Sequence, residues 1–268
     1  MSRRAAVARV VPLSVALVAA TGAAALAGHP ASRTTEEAPA LAPDTVLRRY
    51  AAALAALEKP KAISFDYMVE QVGARNLVQT HRVYRSGTRE RDETKSVDGY
   101  TLRHPAIRIL TKRVDRYDVS ALAPRPGAYA MRYVGIARAY GTRTYGFKSV
   151  ARSAVSFAVS EVAIDAKTFL PAALRFDVSG HGARGWGELR FGAAERFWLV
   201  LQARVRAQFS DGRPARERIV WSNYQFPASL PPSTFLVPHP LTPSAVPTPA
   251  PDSLLDTDAG AGTDETPP

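Results

Sequence analysis

Between residues 197 and 209 hydrophobic side chains fall on every second position. Phe197, Leu199, Leu201, Ala203, Val205, Ala207 and Phe209 share one parity, and Trp198, Val200, Gln202, Arg204, Arg206 and Gln208 share the other. A strand points successive side chains to opposite faces, so this stretch predicts one long strand with an apolar side. The same alternation begins at residue 62, where Ile63, Phe65, Tyr67 and Val69 alternate with Ser64, Asp66, Met68 and Glu70. Further strands are predicted at 77–85, 88–94, 107–119, 129–140, 142–151, 154–165, 172–179, 184–192 and 214–226, about ten in all. Pro105 and the stretch 123–127 interrupt the pattern in the middle.

One helix precedes the strands. Asp44, after Pro43, is its predicted N-cap, and Leu47, Tyr50, Leu54 and Leu57 recur at helical spacing until Pro60 bars continuation beyond Lys59. No strand alternates with a helix, which excludes a parallel βαβ fold. The predicted class is therefore mainly β (α+β), an antiparallel sheet with one N-terminal helix.

Asp211-Gly212 reads as a two-residue hairpin turn. Such a turn sets Arg206 opposite Glu217 and Phe197 opposite Phe226. The apolar parity then continues as Val220, Tyr224 and Phe226, with Arg216 and Arg218 near the turn. Trp198, Val200, Ile219 and Trp221 make the opposite face partly apolar as well. A single helix is too little to cover such a sheet, which must close on itself or leave a cavity where apolar ligands bind.

The ends differ from this pattern. Residues 1–27 carry Arg3, Arg4 and Arg9, then an apolar run from Val10 that ends Ala25-Leu26-Ala27. A basic start, an apolar middle and an A-x-A end describe a signal peptide cut between Ala27 and Gly28. The competing reading, a transmembrane anchor, is opposed by Pro12, Ser14, Thr21 and Gly22 within the run. Arg3-Arg4 hints at twin-arginine export, but no Phe-Leu follows. Residues 28–43 form a linker. Residues 238–268 hold eight prolines, five acidic residues and no Lys or Arg, a composition that predicts a disordered tail. One domain remains, 45–237, long enough for a core of its own.

The chain contains no cysteine, so neither disulfides nor a lipobox is available to an exported protein of this kind. Location in the periplasm or outside the cell is expected. The domain carries 31 Lys and Arg against 16 Asp and Glu, and 101–150 alone holds ten against two. Such a surplus favours anionic partners such as phospholipid headgroups, although a genome rich in Arg and Ala yields the same balance without function. Nucleic acid is not expected, because export removes the opportunity and no recognition motif is present.

No enzymatic signature emerges. "GHGARG" at 180–185 matches G-x-G-x-x-G, but a strand follows it where the dinucleotide fingerprint requires a helix, so it reads as a glycine-rich β-turn. His29, His81, His104, His181 and His239 are scattered and lack metal-ligand spacing. Neither G-x-S-x-G nor S-x-x-K occurs. The carboxylate pairs Asp66/Glu70 and Glu161/Asp165 would share a strand face, but they read more simply as solvated or arginine-paired. No catalytic residue, metal or cofactor is assigned.

Three stretches carry a family resemblance. They are "VLRRYAAALAALEKPKAISFDYMVE" (46–70), "VAIDAKTFLPAALRFDV" (162–178) and "WSNYQFPASLPPSTF" (221–235). Their order and spacing resemble the LolA/LolB-like superfamily of periplasmic lipoprotein carriers and RseB-type sensor domains. Asp165, Thr168 and Pro171 match the family's Asp…Thr-Gly-Leu-Pro turn, with Phe169 in the place of its usual glycine. The carrier's ligand-clamping arginine has no single counterpart. The resemblance implies an incomplete β-barrel wrapped around the helix, with an apolar cavity for acyl chains. It implies an exported binding protein for lipid or lipidated protein that acts by non-covalent sequestration and transfer. The alternative is an envelope sensor or interaction module of the same fold without a lipid. Candidate ligand contacts are Leu199, Leu201, Val205, Tyr224 and Phe226, with Arg204, Arg206, Arg216 and Arg218 at a rim facing an anionic headgroup or lipid surface.

Overall fold

A computed structural model of the 268-residue chain describes residues 41–73, 76–111, 118–155, 157–180 and 183–236. The expected signal peptide, nearly all of the linker, the C-terminal tail, His29, His181 and His239 lie outside the described residues.

Helix α1 spans Pro43–Ala55, two residues earlier at its start and four residues shorter at its end than predicted. Its N-cap is Ala42 rather than Asp44. Proline at N1 supplies the helical φ without wasting an N–H and drives the preceding residue into extended backbone, which fixes the boundary at Ala42. Asp44 instead lies in the first turn, favourable to the helix dipole. The buried stripe is Val46, Tyr50 and Leu54, with Leu47 and Leu57 half-buried beside it.

Eleven strands follow: β1 Ala62–Val72, β2 Leu77–Ser86, β3 Arg89–Val97, β4 Tyr100–Leu110, β5 Tyr129–Ala139, β6 Thr142–Ala151, β7 Val159–Asp165, β8 Pro171–Gly180, β9 Ala183–Ala194, β10 Phe197–Phe209 and β11 Pro214–Gln225. A four-residue helix, α2 (Val119–Leu122), stands between β4 and β5, and a short 3-10 turn covers Pro232–Phe235. The strands form one antiparallel sheet in the order β4-β3-β2-β1-β11-β10-β9-β8-β7-β6-β5. Two meanders thus meet where β11 pairs with β1. The sheet does not close: β4 and β5 are its edges. The fold is the antiparallel, mainly β, incomplete barrel expected from the sequence.

The predicted 107–119 strand is displaced. β4 begins at Tyr100 and runs through Pro105, which a central strand would not tolerate. Here β4 is an edge, and its register with β3 shifts between Thr94 and Ser96, so no β3 partner is required of Pro105. Asp118 then caps α2, accepting from the Ser120 amide at 3.0 Å and its hydroxyl at 2.7 Å.

Two apolar clusters lie on the inner side of the sheet. Val46, Tyr50 and Leu54 of α1 pack with Tyr145, Phe147, Val162 and Ile164 of β6 and β7. A larger cluster joins Phe65, Tyr67 and Val69 of β1 to Leu174, Phe176, Leu189, Phe191, Val205, Ile219 and Trp221 of β8–β11, with Val119 of α2. The helix therefore occupies one end of the sheet, not its whole concavity. Tyr50 also donates its hydroxyl to the Pro124 carbonyl at 3.0 Å.

The β7–β8 turn explains its own sequence. Asp165 accepts from the Lys167 and Thr168 amides at 2.9 and 2.7 Å and from the Thr168 hydroxyl at 2.9 Å. Burial favours the neutral acid, but these bonds and one from Thr142 outweigh it and hold the carboxyl below its ordinary value. Phe169 adopts φ +58°, the left-handed conformation that glycine takes without cost. Its ring lies under the guanidinium of Arg49, 5.1 Å away, and so ties the turn to α1.

Candidate functional site

The β10–β11 hairpin carries the residues singled out from the sequence, and its register differs from the expected one. Arg206 faces Arg216 rather than Glu217, and Val205 faces Glu217. The loop is three residues long, Ser210 to Gly212. The Phe209 amide donates to the Arg213 carbonyl, the Gly212 amide donates to Phe209, and Gly212 takes φ +85°. One extra loop residue moves every pair by one and exchanges the faces of the second strand. Ala203, Val205, Glu217, Ile219 and Trp221 therefore line the inner side, while Arg204, Arg206, Arg216 and Arg218 line the outer side.

β10 is not one uninterrupted stripe. Its pairing with β9 slips between Val200 and Gln202, so that Val200 faces Phe191 and Gln202 faces Arg190. Around this bulge the strand is buried on both sides: Phe197, Leu199 and Val200 all belong to the core. Leu201, the unmatched residue, is half-buried outside that cluster, its Cδ1 only 2.6 Å from where a Gly192 Cβ would stand. Tyr224 donates its hydroxyl to the Val200 carbonyl and sets its ring 5.4 Å from Phe65. Phe226 packs on Phe197 at 4.5 Å although the strand pairing ends before either residue. Of the nominated apolar residues, Leu199 (7% exposed) and Val205 (1%) are core, whereas Tyr224 and Phe226 are half-buried at its margin.

The four arginines come together, away from the inner apolar surface. Arg204 stands directly opposite Arg218, and Arg206 opposite Arg216. They belong to a longer row. Arg132, Lys148, Glu161, Arg175, Glu188, Arg204, Arg218 and Glu70 occupy consecutive registered positions across eight neighbouring strands. Glu70 binds Arg218 at 3.2 Å. Trp186, opposite Arg206 on β9, has the Arg175 guanidinium 4.3 Å from its ring centroid and that of Arg206 at 5.7 Å. Tyr140 lies against Arg190 at 4.1 Å, and its phenol is pushed up to about 12 by burial and by the Glu188 carboxylate.

A buried polar network on β1–β4 was not anticipated. His81 Nδ1 meets Asp92 Oδ1 at 2.9 Å, Tyr67 donates its hydroxyl to Asp92 Oδ2 at 2.7 Å, and Arg108 reaches the same oxygen at 3.3 Å. The His81 ring stacks on Tyr67 at 4.3 Å, and Gln79 closes the far side at 3.3 Å. Burial by itself would raise the Asp92 carboxyl. The bonds from His81 and Tyr67, with the charges of His81 and Arg108, reverse this and hold it below the ordinary value. A signal was present in the sequence: "RERDETK" (89–95) has no apolar residue on either parity, yet it lies in the middle of a strand-forming region. Glu90 and Asp92 are buried there, on the same side as His81. The Thr94 hydroxyl lies 3.5 Å from His81 Nδ1, and the buried network braces β1 to β2 and β3.

Three of the four carboxylates in the two pairs bind neighbouring groups. Asp66 binds Arg82 at 3.1 Å and Asn223 at 2.7 Å, Glu70 binds Arg218, and Asp165 caps its turn. Residues 183–194, which include the last three of the glycine-rich match, form a strand. Among the described residues no group of three His, Cys, Asp or Glu could hold a metal ion. No helix among them is long and apolar enough to cross a membrane.

The described chain is a single open antiparallel sheet built of two meanders, with its helices on the inner side. Similar solved structures include an outer membrane lipoprotein-sorting protein domain from Vibrio parahaemolyticus, with 12% identity and a TM-score of 0.44, covering 72% of this chain and 96% of that one. A LolA superfamily protein from Nitrosomonas europaea has 10% identity and a TM-score of 0.39, covering 74% and 99%. MucB has 16% identity and a TM-score of 0.28, covering 73% and 62%. The likeness is confined to the fold. No family model matches the sequence. No curated protein matches it either.

Proposed function

We propose that the protein is an exported, non-enzymatic binding protein that takes a lipid, or the acyl chains of a lipidated protein, against the inner face of the sheet. The observation that carries this reading is the mismatch between that face and its cover. The larger apolar cluster draws residues from eight strands, whereas the helix placed against β10 has four residues. Leu57, Leu122, Phe157, Tyr224 and Phe226 are half-buried around it. So short a helix owes its stability to its Asp118 cap and to packing rather than to its own length. An acyl chain entering beneath it gains about 0.8 kcal/mol per buried CH₂. The outer arginines then serve contact with an anionic surface rather than clamping a headgroup within the cavity. The signal-like composition of residues 1–27 supports a location in the periplasm or outside the cell.

A second reading, an envelope sensor or interaction module without lipid, is favoured by the near-complete burial of Leu199 and Val205, which fill the inner face themselves. Native mass spectrometry after gentle purification separates the two. Lipid adducts, retained or formed on adding phospholipid and lost in Leu122→Glu with the fold intact, are the expected result. A lipid-free chain that shows no shift with fatty acid or phospholipid would overturn the lipid reading and leave the interaction module.

A further inference from the structure

The outer arginine quartet stands in an arrangement that a sheet normally avoids. Like charges directly opposite one another on neighbouring strands are destabilising, and here two such pairs, Arg204–Arg218 and Arg206–Arg216, lie side by side. All four side chains are exposed. Among the described residues, Arg204, Arg206 and Arg216 have no ion-pair partner. Carboxylates flank one of the two pairs, Glu188 opposite Arg204 and Glu70 against Arg218, and Arg206 and Arg216 have none.

The chain supplies carboxylates elsewhere. Residues 237–268 contain Asp252, Asp256, Asp258, Asp264 and Glu265 and not a single Lys or Arg, so this segment has the opposite charge to the face. The described chain ends in the right place. Arg91, on the parity opposite to the buried Glu90 and Asp92, donates to the carbonyls of Thr234 and Leu236 at 3.0 and 3.1 Å, which brings the chain onto the outer side over β3. From β3 to β11 is three strand spacings, and Ser64 to Val72 on β1 measures the offset along the strands to Arg216. At about 4.8 Å per strand and about 3.3 Å per residue the separation is about 30 Å. The 16 residues from Leu236 to Asp252 reach about 50 Å at the rise of a proline-rich chain. The acidic segment can therefore lie on the quartet of its own molecule.

We propose that residues 252–265 dock on the outer face at Arg204, Arg206, Arg216 and Arg218. The tail neutralises the opposed guanidinium pairs and keeps that face from other anions until a competitor displaces it.

Because the chain lacks cysteine, Ala259→Cys provides a unique attachment point for a nitroxide. At low salt the label should broaden the amide signals of β10 and β11 around the quartet. The broadening should disappear at about 0.5 M salt, where screening extends only a few ångströms. It should also disappear when the five tail carboxylates are amidated by Asp→Asn and Glu→Gln, and when the four arginines are changed to Gln with the remaining spectrum unchanged. Broadening that is absent at low salt, indifferent to salt and charge, or found only between separately labelled copies would overturn the proposal. Vesicles containing phosphatidylglycerol give an independent arm. The amidated-tail chain should bind them at least about threefold more tightly, because an intramolecular competitor at high effective concentration has been removed. Equal affinity would assign the face to a membrane alone and overturn tail docking.

Discussion

Tyr224 donates its hydroxyl to the carbonyl of Val200, the residue at which β10 slips out of register with β9. A bulge leaves backbone groups without their ladder partners, and a side chain from the adjacent strand fills that need. Burial also pushes the Tyr224 phenol far above its ordinary value, so the group donates at any physiological pH. Tyr224→Phe keeps the ring on Phe65 but removes the donor. It should cost about 1–2 kcal/mol, measured as a lower urea midpoint with an unchanged slope.

In the chain whose tail carboxylates are amidated, Arg216→Glu should stabilise the protein. The substitution replaces one of two opposed guanidinium pairs by an opposite-charge pair with Arg206, across an exposed register position. A gain of about 0.3–1 kcal/mol is expected at low salt, vanishing near 1 M salt. Thermal unfolding at both ionic strengths checks it; destabilisation at low salt would show that the arginines are held by something other than their mutual register.

Asp92 couples stability to acid. Its carboxyl lies below the ordinary value of 3.8 in the folded chain, so its contribution is fully present above that value and is lost as pH falls through the lower, folded one. The native chain should therefore lose stability on acidification below about pH 4. Asp92→Asn should flatten that part of the profile. At neutral pH it should cost about 1–3 kcal/mol, because an amide has one acceptor oxygen where the buried carboxylate has two, one for His81 and one for Tyr67. Urea unfolding across pH 2–7 measures both effects.

Gly187 is held by space rather than by backbone angle. A Cβ there would stand 2.1 Å from Cζ of Phe176, a buried ring with no open side to move into. Gly187→Ala should cost about 1–3 kcal/mol through overpacking. Combining it with Phe176→Leu should recover part of the loss, a coupling that a double-mutant cycle reads directly.

Alternation along the chain made the strands legible, because a sheet with one buried side imposes period two on its sequence. β1 and β6 fall where the pattern places them. Register was another matter. "FSDGR" is compatible with a two-residue turn and with a three-residue loop, and the choice decides whether Glu217 meets Arg206 or is buried beside Val205. The bulge at Val200–Gln202 had no signature at all, since Leu201 keeps the apolar alternation while leaving the ladder. Four arginines could be read as a group, but not the side they occupy. The His81–Asp92 brace escaped because its members come from β2 and β3 and meet only once those strands pair.

The two edges of the sheet bear on how the protein behaves when crowded. β4 and β5 each leave a row of backbone groups available to a stranger, which is the way ribbons grow from one molecule to the next. Each edge is spoiled for that purpose. Pro105 removes an N–H from the middle of β4, among Arg103, His104 and Arg108, while β5 breaks step between Tyr133 and Gly135 and carries Arg132 and Arg138. A sheet that never closes thus carries, at each of its two edges, features that oppose growth from one molecule to the next.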